Sequence, residues 1–305
     1  MINKKYNIKD DLEGITTSCN KLFSEMHDSE IFLTGGTGFI GKEFLLLALK
    51  SGHFIYALSR KKQNIKHKNL KWMYGNITEN WSSQLKKSDI LVHLASTGVN
   101  KKSITYREAF KFNVSDSLFL FKNALRNNCK KWLIAGTASE YGKNCKEGKK
   151  LNINTKTLPV SNYAKTKCLF SKRILRLSFK TKSKCRLMRI FPVYGNSENK
   201  NRLYPSLISA AKKNKDYYIN NGDKICEFTK VEYVASTILD ACNFEKKKFT
   251  SNQIWHISSG IPLSVKQFAM IVWKKYCAKS NLVMRSEKNK KHENYVSDNK
   301  SRWKI

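Results

Sequence analysis

The stretch Ile31-Phe-Leu-Thr-Gly-Gly-Thr-Gly-Phe-Ile-Gly41 decides the fold of this chain. A short apolar run is followed by Gly35, Gly38 and Gly41, and a helical pattern of apolar side chains begins at Phe39. This order predicts a strand, a tight turn and a helix. In such a unit, glycines allow the sharp turn, the approach of a pyrophosphate and close helix–strand packing, while the helix N–H groups bind the phosphates. The alternative is a glycine-rich turn that holds no ligand.

Size and composition fit a globular protein with a large core. The 305 residues suit one large α/β domain, or one domain with a smaller lobe. No apolar run approaches the roughly 18 residues of a membrane helix. The N-terminus carries Asp10, Asp11 and Glu13 with no apolar segment of the kind found in signal peptides, so we expect a cytoplasmic protein without a membrane partner. The eight cysteines include no CxxC pair, and therefore neither a metal site nor a disulfide framework is expected.

A formal net charge of +35 is the most unusual property of the composition. Such a charge attracts nucleic acids, membrane surfaces or small anionic substrates. The basic residues are mostly lysines, and they are spread from Lys4 to Lys304 instead of forming one block. This distribution favours a solvated, lysine-rich surface, and a nucleic-acid partner is not expected.

Short apolar segments alternate with helical patterns along the chain, after an N-terminal helical extension over residues 1–29. The predicted strands lie at residues 31–33, 54–58, 70–73, 89–95 and 132–135. The alternation predicts an α/β fold with a Rossmann-type, doubly wound parallel sheet over residues 30–190. Residues 191–305 are expected to form mostly a smaller C-terminal substrate-binding lobe, with some elements returning to the sheet. Its predicted helices lie near residues 203–213, 231–243 and 264–278, and its strand-like segment at 254–257.

The end of the second strand is where a dinucleotide fold contacts the adenosine ribose. An acidic residue there binds the 2′-hydroxyl, whereas an Arg accommodates a 2′-phosphate. Here Ser59 replaces the acid and Arg60 follows it. The sequence therefore favours NADP(H), with NAD(H) as the alternative if Arg60 is only one more surface cation.

Three side chains are candidates for acid–base chemistry. Tyr163 and Lys167 stand at i and i+4 on a helix that begins near Ser161, so they share one face. A neighbouring ammonium lowers the pKa of a phenol. Tyr163 is thus suited to proton transfer at a sugar or alcohol oxygen while a nicotinamide exchanges hydride. Thr137 follows the fifth strand and can hydrogen-bond the same oxygen. His93, inside an apolar strand, is expected to be a core residue and not a base.

Six motifs extend this pattern over most of residues 30–300: TGGTGFIG (34–41), DILVHLAS (89–96), GTASEYG (136–142), YAKTK (163–167), RIFPVYG (189–195) and WHISSG (255–260). Together they resemble the extended short-chain dehydrogenases/reductases, in the NAD-dependent epimerase/dehydratase family of nucleotide-sugar enzymes. The resemblance implies that Thr137 is the catalytic hydroxyl and Tyr163 the acid/base. It also implies that Lys167 holds the nicotinamide ribose.

The resemblance further implies contacts for the cofactor and for a second copy of the chain. With those argued above, the expected cofactor contacts are Gly35, Gly38, Phe39, Ile40, Gly41, Ser59, Arg60, Asn76, Ile77, Leu94, Ala95, Ser96, Tyr163 and Lys167. Among them, Asn76 and Ile77 would contact the adenine. The family usually forms homodimers through two helices, which correspond to residues 103–128 and 162–179 here.

Three departures from the family pattern narrow the activity. Ala138 and Ser139 stand where the sugar 4,6-dehydratases carry Asp-Glu, so a dehydratase is not expected. Pro192 stands where many epimerases of the family have Asn. In this respect the sequence is similar to that of a number of reductases in the family. Cys226 replaces an Arg that often grips the substrate diphosphate, and Arg202 is a candidate substitute. Ser139, Pro192 and Arg202 are the expected substrate contacts.

These observations favour an NAD(P)-dependent nucleotide-sugar oxidoreductase. The specific expectation is a 4-ketoreductase that acts on an NDP-4-keto-deoxysugar in polysaccharide biosynthesis. A nucleotide-sugar 4-epimerase, which would oxidise and re-reduce a bound sugar with the same residues, is the first alternative. A remote alternative is a non-catalytic relative that binds RNA or another polyanion. The intact set of Thr137, Tyr163 and Lys167 argues against it, because a protein that only binds has no need of these residues.

Overall fold

Seven parallel strands form the central sheet, in the spatial order β3-β2-β1-β4-β5-β6-β11. They are β1 (Glu30–Thr34), β2 (Phe54–Ser59), β3 (Leu70–Tyr74), β4 (Ile90–His93), β5 (Lys131–Thr137), β6 (Lys184–Ile190) and β11 (Gln253–Ile257). The chain moves outward in one direction from β1 to β3 and then in the other from β4. The reversal lies between β1 and β4, which is where doubly wound sheets bind their ligands. The expected fold is confirmed.

The structure is a computed structural model, and it describes residues 29–99, 104–245, 252–285 and 293–305. The helical extension expected over residues 1–29 lies outside the described residues, apart from Ser29 at its end.

Helices cover both faces of the sheet. They are α1 (Phe39–Lys50), α2 (Ser82–Lys87), α3 (Tyr106–Phe110), α4 (Ser117–Arg126), α5 (Asn162–Thr181) and α7 (Val231–Cys242). Since successive side chains of a strand point to opposite faces, Leu33 and Phe32 of β1 belong to different cores. Leu33 packs in the cluster that includes Phe44 of α1, and Phe32 packs in the cluster that includes Phe121 of α4. The apolar run of β1 is therefore buried on both sides, as a central parallel strand requires.

The elements after residue 190 contribute both to the central sheet and to a separate apolar cluster. β11 completes the central sheet and α7 packs on α1. The helices α6 (Leu203–Lys212) and α8 (Val265–Lys275) share a separate apolar cluster. Beside them, three two-stranded sheets pair β7 (Val193–Tyr194) with β10 (Thr229–Lys230), β9 (Ile225–Glu227) with β12 (Pro262–Ser264), and β8 (Tyr217–Asn220) with β13 (Leu282–Arg285). The domain boundary between residues 190 and 191 stays a prediction.

One predicted helix differs from a regular α-helix. Within the expected 103–128 segment, α3 and α4 are joined by a π-helical turn, Lys111–Asp116. Each π turn holds one more residue than an α turn, and such turns occur frequently at functional sites. Here the turn carries the buried Asn113, whose amide oxygen accepts a hydrogen bond from the Thr97 N–H at 2.9 Å and whose amide nitrogen donates to the Thr97 carbonyl at 3.1 Å. The turn thereby fixes the loop that follows β4.

Candidate active site

The turn between β1 and α1 forms a backbone cradle. Gly35 has a φ of +79°, and a Cβ at this position would lie 2.5 Å from the backbone nitrogen of Ala95. The Gly38 N–H donates to the Gly35 carbonyl at 2.9 Å, and α1 begins at Phe39 with no side-chain cap. The first N–H groups of a helix have no partner within the helix. They are therefore available to an anionic group at this end of the sheet.

A cavity of about 1020 Å³ extends from this cradle along the carboxyl ends of the strands to the start of α6. Its lining contains every residue that the sequence assigned to the cofactor, to catalysis or to the substrate. These residues are Gly35, Gly38, Phe39, Ile40, Gly41, Ser59, Arg60, Asn76, Ile77, Leu94, Ala95, Ser96, Thr137, Ser139, Tyr163, Lys167, Pro192 and Arg202. The fold brings them to one site, while the role of each stays a prediction.

One end of the cavity lies at the carboxyl end of β2. The hydroxyl of Ser59 donates to the Lys61 carbonyl at 2.7 Å and accepts from the Gln63 amide at 3.2 Å. Ser59 therefore shapes the turn after β2, and the exposed Arg60 follows on the cavity wall. Arg60 therefore makes this end of the cavity positively charged. In other dinucleotide-binding folds, an acidic residue at this place binds a ribose 2′-hydroxyl.

Thr137 and Tyr163 meet in the middle of the cavity. Thr137 ends β5, and Tyr163 lies in the first turn of α5, whose N-cap Ser161 accepts a hydrogen bond from the Ala164 N–H at 3.1 Å. The side-chain hydroxyls of Thr137 and Ser96 lie near the Tyr163 hydroxyl, and all three residues line the cavity. Two protein hydroxyls thus surround the oxygen of Tyr163 at the carboxyl edge of the sheet.

Desolvation raises the pKa of Tyr163 to about 12, and it outweighs the opposite effect of the hydrogen bonds from Thr137 and Ser96. The sequence argument expected the neighbouring ammonium to lower this pKa, and in the protein alone the direction is the reverse. The physical reason is burial, which disfavours the charged phenolate. The same effect lowers the pKa of Lys167 to about 8, against an opposing attraction from Glu140. Tyr163 is therefore a protonated phenol at neutral pH.

His93 is a core residue, as the sequence predicted. Its ring lies 1% exposed, with Nδ1 2.8 Å from the Thr34 hydroxyl and Nε2 3.1 Å from the Ser117 hydroxyl. Because the Ser117 hydroxyl already donates to the Phe112 carbonyl, it accepts from Nε2–H, and Nδ1 accepts from Thr34. Desolvation, followed by the charge of Lys167, lowers the pKa of His93 to about 3. The ring is neutral and both of its nitrogens are satisfied.

The other end of the cavity is lined by groups that suit a charged substrate. Arg202 contacts the carboxylate of Glu198 at 3.2 Å, and its charge lowers the pKa of Tyr163, which lines the same cavity. Lys224 lies on the same wall with its Nζ 4.8 Å from the ring centroid of Tyr295. Cys226, which stands where the family has Arg, is buried. Arg202 and Lys224 are the cations of this wall among the described residues.

Sequence reasoning missed four residues of the site: Asn113, Glu140, Glu198 and Lys224. Glu140 is fully buried behind Thr137, and Glu198 lines the cavity with only 7% of its side chain exposed. One signal was available, because Lys224 directly precedes β9 and stands two residues before Cys226, and both residues line the cavity. Glu198 pairs with Arg202 four residues later, and Glu140 accepts from the Thr137 N–H three residues earlier, but neither spacing by itself points to a cavity. The partners of Asn113 are distant in sequence.

The fold and the site define an enzyme of the dinucleotide-binding class that carries a tyrosine and a lysine one helical turn apart. The sequence model of the NAD dependent epimerase/dehydratase family matches residues 31–257, which is most of the chain. The chain belongs to this family. The resemblance drawn from the six motifs is therefore confirmed, and so is the expectation of an enzyme.

Individual relatives are more distant. A GDP-6-deoxy-D-talose 4-dehydrogenase of Aggregatibacter actinomycetemcomitans is 26% identical over 259 residues, which are 80% of this chain and 79% of that protein. The UDP-N-acetylglucosamine 4-epimerase structure from Methanobrevibacter ruminantium M1 has a TM-score of 0.80 at 20% identity and covers 90% of both chains. A UDP-glucuronic acid 4-epimerase mutant from Bacillus cereus, in complex with NAD, has a TM-score of 0.77 at 17% identity, covering 89% of this chain and 91% of that chain. At these identities the two structures support the fold assignment alone.

Three further properties concern the described residues only. None of their helices is both long and apolar enough to cross a membrane. They contain no group of three or more His, Cys, Asp and Glu arranged to hold a metal ion. Of the cysteines within the described ranges, six are buried free thiols and Cys277 is exposed.

Proposed function

We propose that this protein is an NAD(P)-dependent nucleotide-sugar oxidoreductase. The reaction we assign to it is that of a 4-ketoreductase acting on an NDP-4-keto-deoxysugar. This reaction would serve the synthesis of a polysaccharide precursor in the cytoplasm. The observation that carries the proposal is the meeting of Thr137, Tyr163 and Lys167 in the cavity that begins at the glycine cradle. A dinucleotide would fit this cradle, because Gly35 and Gly41 let the turn, the loop after β4 and α1 pack closely, and α1 presents uncapped N–H groups.

The protein's own residues would handle the proton and the oxygen. The reduced nicotinamide supplies the hydride that the keto carbon accepts. The Tyr163 hydroxyl, which is protonated at neutral pH, donates its proton to the keto oxygen as that oxygen becomes a hydroxyl. Thr137 donates a hydrogen bond to the same oxygen, and the Lys167 ammonium lies on the same face of α5 as Tyr163. A protonated Tyr163 is the form that reduction requires.

Three features favour a reductase over an epimerase or a dehydratase. Ala138 and Ser139 provide no carboxylate for water elimination. The backbone amide of Ser139 donates to Thr137 Oγ1 at 3.2 Å, so this short segment instead supports the catalytic hydroxyl. Pro192 lines the cavity at the position where many epimerases have Asn. The curated relative at 26% identity is named as a dehydrogenase.

The charges of the cavity favour a substrate with phosphates. Among the described lining residues are four cations, Arg60, Lys167, Arg202 and Lys224, and one carboxylate, Glu198. Fixed positive charges in a cleft attract anionic ligands. We assign Arg202 and Lys224 to the diphosphate of the nucleotide sugar. They line the same wall of the cavity as Cys226, which replaces the Arg that often binds this diphosphate in the family.

A cofactor titration tests the reductase and its preference for NADP(H). Wild-type protein would be titrated with NADPH and NADH, beside Arg60→Ala and the control Lys62→Ala, which removes the same charge from a neighbouring exposed residue outside the cavity lining. We expect preferential binding of NADPH that is weakened about tenfold or more in Arg60→Ala and little in Lys62→Ala. Stoichiometric NAD retained through purification would point to the 4-epimerase instead.

We also propose a homodimer through α3–α4 and α5. Each side of this surface carries an exposed aromatic residue, Phe119 at 43% and Phe179 at 65%. Charged substitutions Phe119→Glu and Phe179→Glu are expected to convert the dimer to a monomer in light-scattering measurements, because a buried unpaired carboxylate is unfavourable. The control is Tyr218→Glu, at another exposed aromatic residue. A wild-type monomer at all concentrations would overturn this assembly.

A further inference from the structure

A fully buried carboxylate lies directly behind the catalytic centre. Glu140 is 0% exposed and belongs to the short 3₁₀ turn that follows β5. Its Oε1 accepts hydrogen bonds from the Thr137 N–H at 3.1 Å and from the Ser171 hydroxyl at 3.1 Å. Its Oε2 pairs with Arg189 Nε of β6 at 3.0 Å. The carboxylate thus joins β5, α5 and β6 at the point where Thr137 enters the cavity.

The surrounding backbone is shaped to admit this side chain. A Cβ on Gly136 would lie 3.0 Å from Glu140 Oε1 and 3.3 Å from Arg189 Cγ. The residue just before the catalytic Thr137 therefore leaves room for the ion pair. The Thr137 hydroxyl accepts from the Ser139 N–H while the Thr137 N–H donates to Glu140, so both ends of Thr137 are held by the turn.

The charges around Glu140 connect it to the other two catalytic residues. Glu140 raises the pKa of Lys167 and of Tyr163, against the opposite effect of burial on Lys167. On its other side, Glu140 faces Arg189 and the phenol of Tyr141, which stays protonated because burial raises its pKa.

Lys167 faces one further titratable group, His93 on β4. That ring is neutral and its pKa is lowered by Lys167. Among the described residues, the negative charge that supports the Lys167 ammonium is therefore that of Glu140.

We propose that Glu140 is a positioning residue of the reaction, which fixes Thr137 through its backbone N–H and places its carboxylate against the face of α5 that carries Ser171 and, one turn earlier, Lys167. This inference rests on the proposed function, because it assumes that Thr137, Tyr163 and Lys167 act on the substrate. A purely structural ion pair would also stabilise the fold, but removing it would leave kcat and its pH dependence unchanged in a folded variant. The two roles are therefore separable by experiment.

The titration of Lys167 tests the electrostatic part without any substrate. Protein with ¹³C-labelled lysine would be titrated by NMR, with the Lys167 signal assigned from its loss in Lys167→Met. We expect a midpoint near pH 8 in the wild type and a midpoint lower by about one unit in Glu140→Gln. Ser171→Ala is the matched control, because it removes a hydrogen bond to the same oxygen and keeps the charge. An unchanged midpoint in folded Glu140→Gln would overturn the proposal.

Kinetics test the same role in turnover. Glu140→Gln is expected to lower kcat about tenfold above neutral pH with little change in KM. The alkaline limb of the plot of kcat against pH is expected to move to lower pH, because Lys167 loses its proton at a lower pH. Glu140→Asp, which keeps the charge, is expected to restore the limb. If Glu140→Gln does not fold, the double variant with Arg189→Met removes the unpaired cation and carries the same expectations. A wild-type protein that turns over no nucleotide sugar would overturn the proposed function, while the Lys167 titration still decides the role of Glu140.

Discussion

The carbonyl oxygen of Gly35 lies so close to the Cα of Gly41 that a Cβ on residue 41 would overlap it. The turn and the first turn of α1 are thereby in direct backbone contact. Gly41 is buried, and its hydrogen side chain is what lets β1 and α1 approach each other. The geometry of the cradle therefore depends on this pair of glycines.

Replacing Gly41 by Ala is expected to destabilise the protein and to weaken cofactor binding together. An added methyl group in a packed site costs about 1–3 kcal/mol of the free energy of unfolding. Gly36→Ala is the matched control in the same turn, because its Cβ would meet only flexible leucine side chains, the nearest being Leu33 Cδ2 at 3.0 Å. Urea unfolding and NADPH titration measure both effects. Wild-type stability and affinity in Gly41→Ala would show that the cradle tolerates a larger separation of strand and helix.

Tyr163→Phe is expected to reduce kcat about 10²–10⁴-fold, because it removes the proton donor while leaving the ring in place. Its affinity for NADPH should stay close to that of the wild type. Tyr218→Phe, which removes a hydroxyl from a residue that is 50% exposed, is the control. Steady-state kinetics and cofactor titration on the three proteins provide the comparison. A Tyr163→Phe enzyme with wild-type kcat would exclude Tyr163 as the acid.

Acid is expected to destabilise the protein through its buried histidine. The folded pKa of His93 is about 3, below its ordinary value of 6.5. Between these two values the unfolded chain binds more protons than the folded one, so stability is complete above pH 6.5 and falls as the pH decreases towards 3. One such group contributes a slope of up to about 1.4 kcal/mol per pH unit.

Unfolding experiments at a series of pH values measure this slope. His93→Gln is expected to lower stability at neutral pH, because it disturbs the bonds to Thr34 and Ser117, and to make the pH dependence shallower. His67→Gln, at an exposed histidine, is the control. Equal slopes in the wild type and in His93→Gln would contradict a neutral, buried ring.

The sequence was sufficient to predict a doubly wound parallel sheet, all but one of its strands, and the convergence of the site. The glycine turn, the tyrosine and lysine at i and i+4, and the strand-end Thr137 are local patterns with fixed structural consequences. Their meeting in one cavity follows from the parallel sheet, which brings the carboxyl ends of its strands to one edge.

Strand β6 shows why other elements were missed. Its sequence, Lys184 to Ile190, carries charged residues that argue against a central strand, and yet Arg186 and Arg189 are buried. The Arg186 guanidinium donates to the carbonyl groups of Ala241 and Asn243, each at 2.8 Å. Partners so distant in sequence compensate a buried charge only after folding, and hydropathy along the chain does not reveal them. The same reason explains why Glu140 was not recognised.

Turnover of a 4-keto nucleotide sugar would establish whether the protein is a 4-ketoreductase. A GDP-linked 4-keto-6-deoxyhexose is the first substrate to try, because the curated relative is named for GDP-6-deoxy-D-talose. Wild-type protein and Tyr163→Phe would be incubated with this substrate and NADPH, and both NADPH absorbance and the sugar product would be followed. The wild type is expected to oxidise one NADPH for each hydroxyl formed, and Tyr163→Phe is expected to be slower by about 10²–10⁴-fold. Conversion of a nucleotide sugar without net consumption of NADPH, or no turnover of any nucleotide sugar, would contradict it.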